Sequence, residues 1–196
     1  MMMKESTERY ALLKRFFFKT STGHRHALGI LLGLVAFCAL VVLPAASHGA
    51  EIVGSWVSGT THAAETGSNR GLVFTAHVEH SSTASLTSVS YGGQSMTQII
   101  DHNYAGSTTT AYVSAFILDE AGIAAATSSD FAITWASTPS ETPAYSSVFL
   151  QNVYQTTLTG DTATGGSTSS SAETAAVSTN ADDMAFVAAT CGTDAD

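Results

Sequence analysis

Beyond residue 25 the sequence has no lysine and a single arginine, Arg70. A body so poor in cations cannot neutralise a phosphate backbone, which excludes nucleic acid as a partner. Cysteine is almost as scarce, with two in the whole chain. Cys38 sits in an apolar run behind bulky Phe37, unlike a lipid-attachment cysteine. Cys191 has no partner in the body, so a disulfide framework is excluded; it reads as a small buried hydrophobe. Catalytic signatures are missing too. There is no G-x-S-x-G elbow, no phosphate-binding or dinucleotide glycine loop and no D-x-D-x-D-G calcium loop.

The cations are concentrated at the start. Lys4, Arg9, Lys14, Arg15, Lys19 and Arg25 precede an apolar run from Ala27 to Leu43, then Pro44 and the small residues Ala45, Ala46 and Ser47. A positive stretch, an apolar stretch and a small-residue stretch in that order form a secretory leader. Its 17 apolar residues fall short of the about 20 that a spanning helix needs. The reading is a signal helix within residues 1–50, cleaved after Ser47, Gly49 or Ala50 and exported by the Sec route; the alternative is an uncleaved anchor. Lys14-Arg15 only faintly resembles a twin-arginine signal. Under either reading the remainder is secreted or displayed at the cell surface, and it meets a membrane only through this segment.

Residues 51–196 make one domain-sized module, more acidic than the whole-chain charge of -9. Such a surface favours solubility and cations. Short β-branched and aromatic clusters alternate with Ser, Thr, Ala and Gly. Leu72, Phe74, Ala76 and Val78 share one face of a strand and Thr75, His77 and Glu79 the other, a half-buried pattern. Phe131, Ile133 and Trp135 alternate in the same way. Ala111–Leu118 is apolar on both faces apart from Ser114, as in a strand covered on both sides. Val148–Leu150, Ile52–Val57, Leu86–Tyr91, Ser95–Ile100, Thr174–Ser178 and Met184–Thr190 complete the expected strands. Gly92 and Gly93 are assigned a structural role in a tight hairpin turn. Gly122 and the following Thr-Ser-Ser make Ala121–Ala126 a loop rather than a helical turn, and 160–171 is a mobile loop. Many short strands without an amphipathic helix indicate an all-β antiparallel β-sandwich.

Three stretches carry a family resemblance: Gly67-Ser68-Asn69-Arg70-Gly71-Leu72-Val73, then Leu86-Thr87-Ser88-Val89-Ser90-Tyr91-Gly92-Gly93-Gln94-Ser95-Met96-Thr97, then Phe149-Leu150-Gln151-Asn152-Val153-Tyr154-Gln155-Thr156-Thr157. In this order they resemble a bacterial extracellular β-sandwich module with the patterns G-S-N-R-x-L-x-V, V-T-S-V-x-Y-G-G-x-x-L-T and S-F-x-G-V-x-Q-T-T-P. Gly71, Met96, Asn152, Tyr154 and Leu158 depart from the usual residues. The resemblance implies secretion or surface display and a jelly-roll-like sandwich, and supplies no catalytic residues. Modules of this kind continue beyond a strand such as Met184–Thr190. It therefore also implies a C-terminal truncation, or a last strand donated by another molecule.

The remaining candidates divide by geometry. His77 and Glu79 share a strand face while His80 points the other way. With His62 or His102 unplaced, they fall short of the three or four ligands of a zinc site, so no metal residue is assigned. Asp119-Glu120 and Asp182-Asp183 are adjacent and diverge, unlike the facing carboxyls of a glycosidase; calcium at loop carboxylates is the one cofactor considered. The aromatics default to core or half-core packing, and Trp135 belongs to the core. Tyr104 and Tyr154, beside expected loops, are the ligand-binding candidates. Arg70 is assigned a structural role, pairing with an acid or capping carbonyls. The resulting expectation is a noncatalytic module of structural or adhesive function whose partner is an extracellular glycan or surface protein. The alternatives are a carbohydrate-binding module and, third, a secreted hydrolase.

Overall fold

The computed structural model describes residues 49–81, 83–105, 110–166 and 175–190. The leader up to residue 48, Cys38 and Cys191 lie outside the described residues. Among these described residues eight strands occur: β1 (Glu51–Ser58), β2 (Gly71–His80), β3 (Leu86–Tyr91), β4 (Gln94–Ser95), β5 (Thr97–Ala105), β6 (Thr110–Leu118), β7 (Phe131–Trp135) and β8 (Ala144–Gln151). They form two antiparallel sheets, one ordered β1-β8-β2-β6-β5 and the other β4-β3-β7. The all-β reading therefore holds.

The two sheets share one core. Leu72, Phe74, Ala76 and Val78 of β2, with Tyr112 and Phe116 of β6 and Phe149 of β8, join Leu86, Val89 and Tyr91 of β3 and Phe131 of β7 in a single buried cluster. Phe74 meets Phe131 across the sheets at 4.6 Å between ring centroids, and Tyr91 meets Phe149 at 6.0 Å. Aromatic pairs at these separations add to simple area burial. The opposite face of the larger sheet carries a second cluster. Val73, Ile117, Val148, Leu150 and Val153 are covered there by Leu158, Met184 and Phe186.

That cover corrects the half-buried reading of β2, whose Val73 and Thr75 are 3% and 6% exposed. Strand β6, between β2 and β5, is buried as its apolar run indicated. The tight hairpin joins β3 to β4 through Gly92 and Gly93, at φ of +53° and +84°, the conformation of a primed turn.

Three further corrections follow. Glu120–Ala125 is a short helix, α1, not a loop. The Asp119 carboxylate accepts the Gly122 N–H at 2.7 Å, supplying the cap that a free helix start lacks, and Ile123 drops into the core. Glycine at 122 leaves room for Leu118 in place of a β-carbon. The expected strand Met184–Thr190 pairs with no strand among the described residues, and neither does Ala175–Ser178. Strand β5 runs past Ile100 to Ala105 and takes in Tyr104 one residue before its end.

Candidate functional site

The most deeply placed polar side chain from a connecting segment is His62, on the chain between β1 and β2. It is 3% exposed. Its backbone N–H donates to the Ser129 carbonyl at 2.9 Å, and its carbonyl accepts from the Tyr91 hydroxyl at 2.8 Å. The ring contacts Phe149 edge-on at 4.8 Å, and Nδ1 shares a 2.8 Å hydrogen bond with Ser147 Oγ. Nε2 has no partner among the described residues. Burial holds this imidazole below the ordinary histidine value, with Glu65 opposing. A histidine bonded to a serine is the start of a nucleophilic site. Ser147 is fully buried inside β8, however, so no substrate reaches its oxygen.

Arg70 anchors a second polar cluster at the entry to β2. Its Nε lies 3.1 and 3.0 Å from the two Glu120 carboxylate oxygens, and Nη2 donates to Oε1 at 2.5 Å. The Arg70 backbone N–H reaches the same carboxylate at 2.7 Å, and Nη1 donates to the Glu65 carbonyl at 2.8 Å. Gln155 closes the ring. Its amide donates to the Arg70 carbonyl and its Oε1 accepts the Glu120 N–H. Beside it, Asn152 and Val153 donate their backbone N–H groups to the Ser68 and Asn69 carbonyls. The first and third of the sequence stretches singled out above thus meet here. Hydrogen bonding to Arg70 holds the Glu120 carboxyl below its usual range and in return raises the guanidinium. Asp119 and Glu120, adjacent in sequence, diverge to a helix cap and to Arg70.

A third polar group lies where β5, β6 and the entry to β3 meet. Asn103 bonds both backbone groups of Ala84, and the Tyr112 hydroxyl accepts the Leu86 N–H at 3.0 Å. Burial pushes the Tyr112 phenol up to about 12. His77 pairs in register with Val113, and Val113 with His102. His80 is buried at the end of β2. Among the described residues no group of three His, Cys, Asp or Glu side chains is poised to hold a metal. No described helix is long and apolar enough to cross a membrane.

Of the two ligand-binding candidates, Tyr154 is 74% exposed. Tyr104 is half-buried, its ring packed where a β-carbon on Gly166 would sit. Among the described residues no hydrogen bond or ring contact joins the two. Trp56, one of the aromatics for which the sequence offers either packing or sugar stacking, is 44% exposed, as is Ile52. Gly54, at φ +73°, sits in the β1 bulge between Val53 and Val57, and the Trp56 indole rests edge-on against Phe186 at 6.1 Å. Glu51 pairs with Gln151 near Tyr154. At the rise of a strand, Trp56 lies roughly 15 Å further along β1. The two exposed rings therefore stand apart. Strand β1 is an edge of its sheet.

No protein-family model, curated protein or solved structure matches this chain.

Proposed function

We propose that residues 51–196 form a noncatalytic β-sandwich module of jelly-roll type, secreted or displayed at the cell surface behind the leader, with a structural or adhesive role. One observation carries this reading. Two of the polar clusters described above are closed by their own partners: His62 bonds Ser147, and Arg70 pairs with Glu120. The large apolar side chains of the edge strand, Ile52 and Trp56, are turned to solvent. An edge strand with exposed apolar groups favours contact with another protein surface.

The test screens full-length protein against immobilised cell-surface proteins and a glycan array, beside Trp56→Ala and Tyr154→Ala. Binding to surface protein that Trp56→Ala weakens about tenfold or more supports adhesion. Turnover of a hydrolase substrate panel, with no binding in either screen, overturns it.

The exposure of Tyr154 favours a second reading, a carbohydrate-binding module, because a lone solvent-facing ring can stack on a sugar. Glycan-specific binding lost in Tyr154→Ala and kept in Trp56→Ala selects that reading.

A further inference from the structure

The segment leaving β1 is strapped to both sheets through a very short stretch of chain. Gly59 N–H donates to the Tyr145 carbonyl at 3.0 Å, Phe131 N–H to the Thr60 carbonyl at 2.8 Å, and Thr61 bridges Asp130. His62 follows, held to Ser129 through its backbone and to Ser147 through its ring. Ser147 lies opposite Val57 of β1 on one side and Phe74 of β2 on the other. One imidazole thus ties the entry of β7 to the middle of the larger sheet, where edge strand β1 ends.

Among the described residues the ring has one hydrogen-bond partner for its two nitrogens. In the neutral state one nitrogen carries a proton and the other a lone pair, and the Ser147 hydroxyl can donate to or accept from Nδ1. The imidazolium carries a proton on each nitrogen. Its Nε2–H then points a charged donor into a buried place with no acceptor among the described residues, a costly arrangement. The charged and titratable groups around the ring come from three elements. Glu65 is on its own segment, Asp130 is across the Thr61 bridge and Tyr91 of β3 holds its carbonyl. Strand β8 contributes Ser147 and Phe149, neither of them charged. Glu65 attracts a cation, yet burial outweighs it.

We propose that His62 is an acid-sensitive latch: protonation expels the ring from its place beside Ser147, releases residues 59–62 from β7 and frees the end of edge strand β1. The sign follows from linkage. The unfolded or opened segment takes up a proton at the ordinary histidine value of 6.5, whereas the closed state resists it. Opening is therefore favoured as pH falls below that value and is independent of this group above it.

The experiment is native-state hydrogen exchange on the full-length chain between about pH 7.5 and about pH 5, the range in which histidine titrates. It follows the amides of His62 and Phe131, each corrected for its intrinsic rate and compared with β2 amides. As pH falls from the ordinary histidine value toward the lowered value of the closed state, the opening constant of these two amides is expected to rise, with a limiting slope of about tenfold per pH unit for one proton. In His62→Asn, whose amide can replace Nδ1 against Ser147 without titrating, the slope is expected to vanish. A flat wild-type profile, or the same slope in His62→Asn, overturns the latch and assigns acid sensitivity to other groups. Should His62→Asn fail to fold, the wild-type His62 ring is titrated by NMR. A midpoint below that of free histidine supports the proposal, and one at or above it overturns it.

Discussion

Arg70 and Glu120 offer the most direct test of what holds the entry of β2 to α1. The carboxylate receives the guanidinium through Nε and Nη2 and also the Arg70 backbone N–H, while Nη1 is held by Glu65. The side chains are 15% and 31% exposed, so solvent screens the pair and the full cost of breaking a buried ion pair does not apply. Hydrogen bonds to charged groups contribute about 1.5–3 kcal/mol. On that basis Arg70→Ala should cost about 2 kcal/mol, lowering the melting midpoint by about 4–8 °C in a domain of this size. Glu120→Ala should cost more than Arg70→Ala. It strands both the guanidinium and a backbone N–H, whereas Arg70→Ala leaves the carboxylate its backbone donor and water. The Glu120 carboxyl is depressed in the folded state. Its contribution is therefore present above the unfolded carboxyl value and lost as pH falls through the folded one. Urea melts of both single variants and the double variant, repeated across the acid range, give the coupling. A coupling energy near zero, or a wild-type-minus-Glu120→Ala difference that does not shrink in acid, refutes the clamp.

Gly92→Ala should destabilise by about 2–4 kcal/mol, because φ is +53° and the added β-carbon would lie 2.5 Å from the Ser128 carbonyl oxygen. Gly93→Ala, at φ +84° with open space, should cost about 1 kcal/mol, and urea melts separate the two. Thermal melts at low and high sodium chloride should show stabilisation by salt, since acidic groups outnumber cations in the body; a midpoint indifferent to salt but raised by micromolar calcium would argue for an ion site. Phe186→Ala should red-shift Trp56 emission in a Trp135→Phe background, as Phe186 covers one edge of that indole. Mass spectrometry of exported protein should find the new N-terminus between His48 and Glu51, and an intact Ala27–Leu43 segment in a membrane-bound product would identify an anchor instead.

The strands were legible because their signal is local. Alternation in β2 and the two-sided apolar run of β6 follow from the period of a strand alone. Burial of the outer face of β2 was not legible, because its cover, Met184 and Phe186, comes from more than a hundred residues away. The polar clusters split in the same way. A lone arginine in an acidic body must find an acid or a carbonyl, so pairing could be expected for Arg70. Its partner could not, since Glu120 read as half of a diverging acid pair. His62 carried no signal beyond being a histidine among small residues. Its importance comes from Ser129 and Ser147, which approach it only once both sheets have formed.

Met184–Thr190 marks where period-two reasoning stops. Its burial does alternate: Met184, Phe186, Ala188 and Thr190 are partly covered and Ala185, Val187 and Ala189 are exposed. Yet no strand pairs with it among the described residues. Alternation reports which side of an extended chain meets apolar surface. It says nothing about whether backbone donors and acceptors lie beside a strand edge, since side-chain direction and ladder direction are perpendicular. A segment laid across a sheet face satisfies the first condition without the second. Met184 and Phe186 do this, resting on Val73, Ile117, Val148 and Leu150. The same placement explains Trp56. A strand with a sheet face above it would have buried the indole, whereas a single extended segment offers one Phe186 edge and leaves the rest of the ring to solvent. The apolar exposure on β1 that supports an adhesive role is thus a direct consequence of covering this face with a segment instead of a sheet.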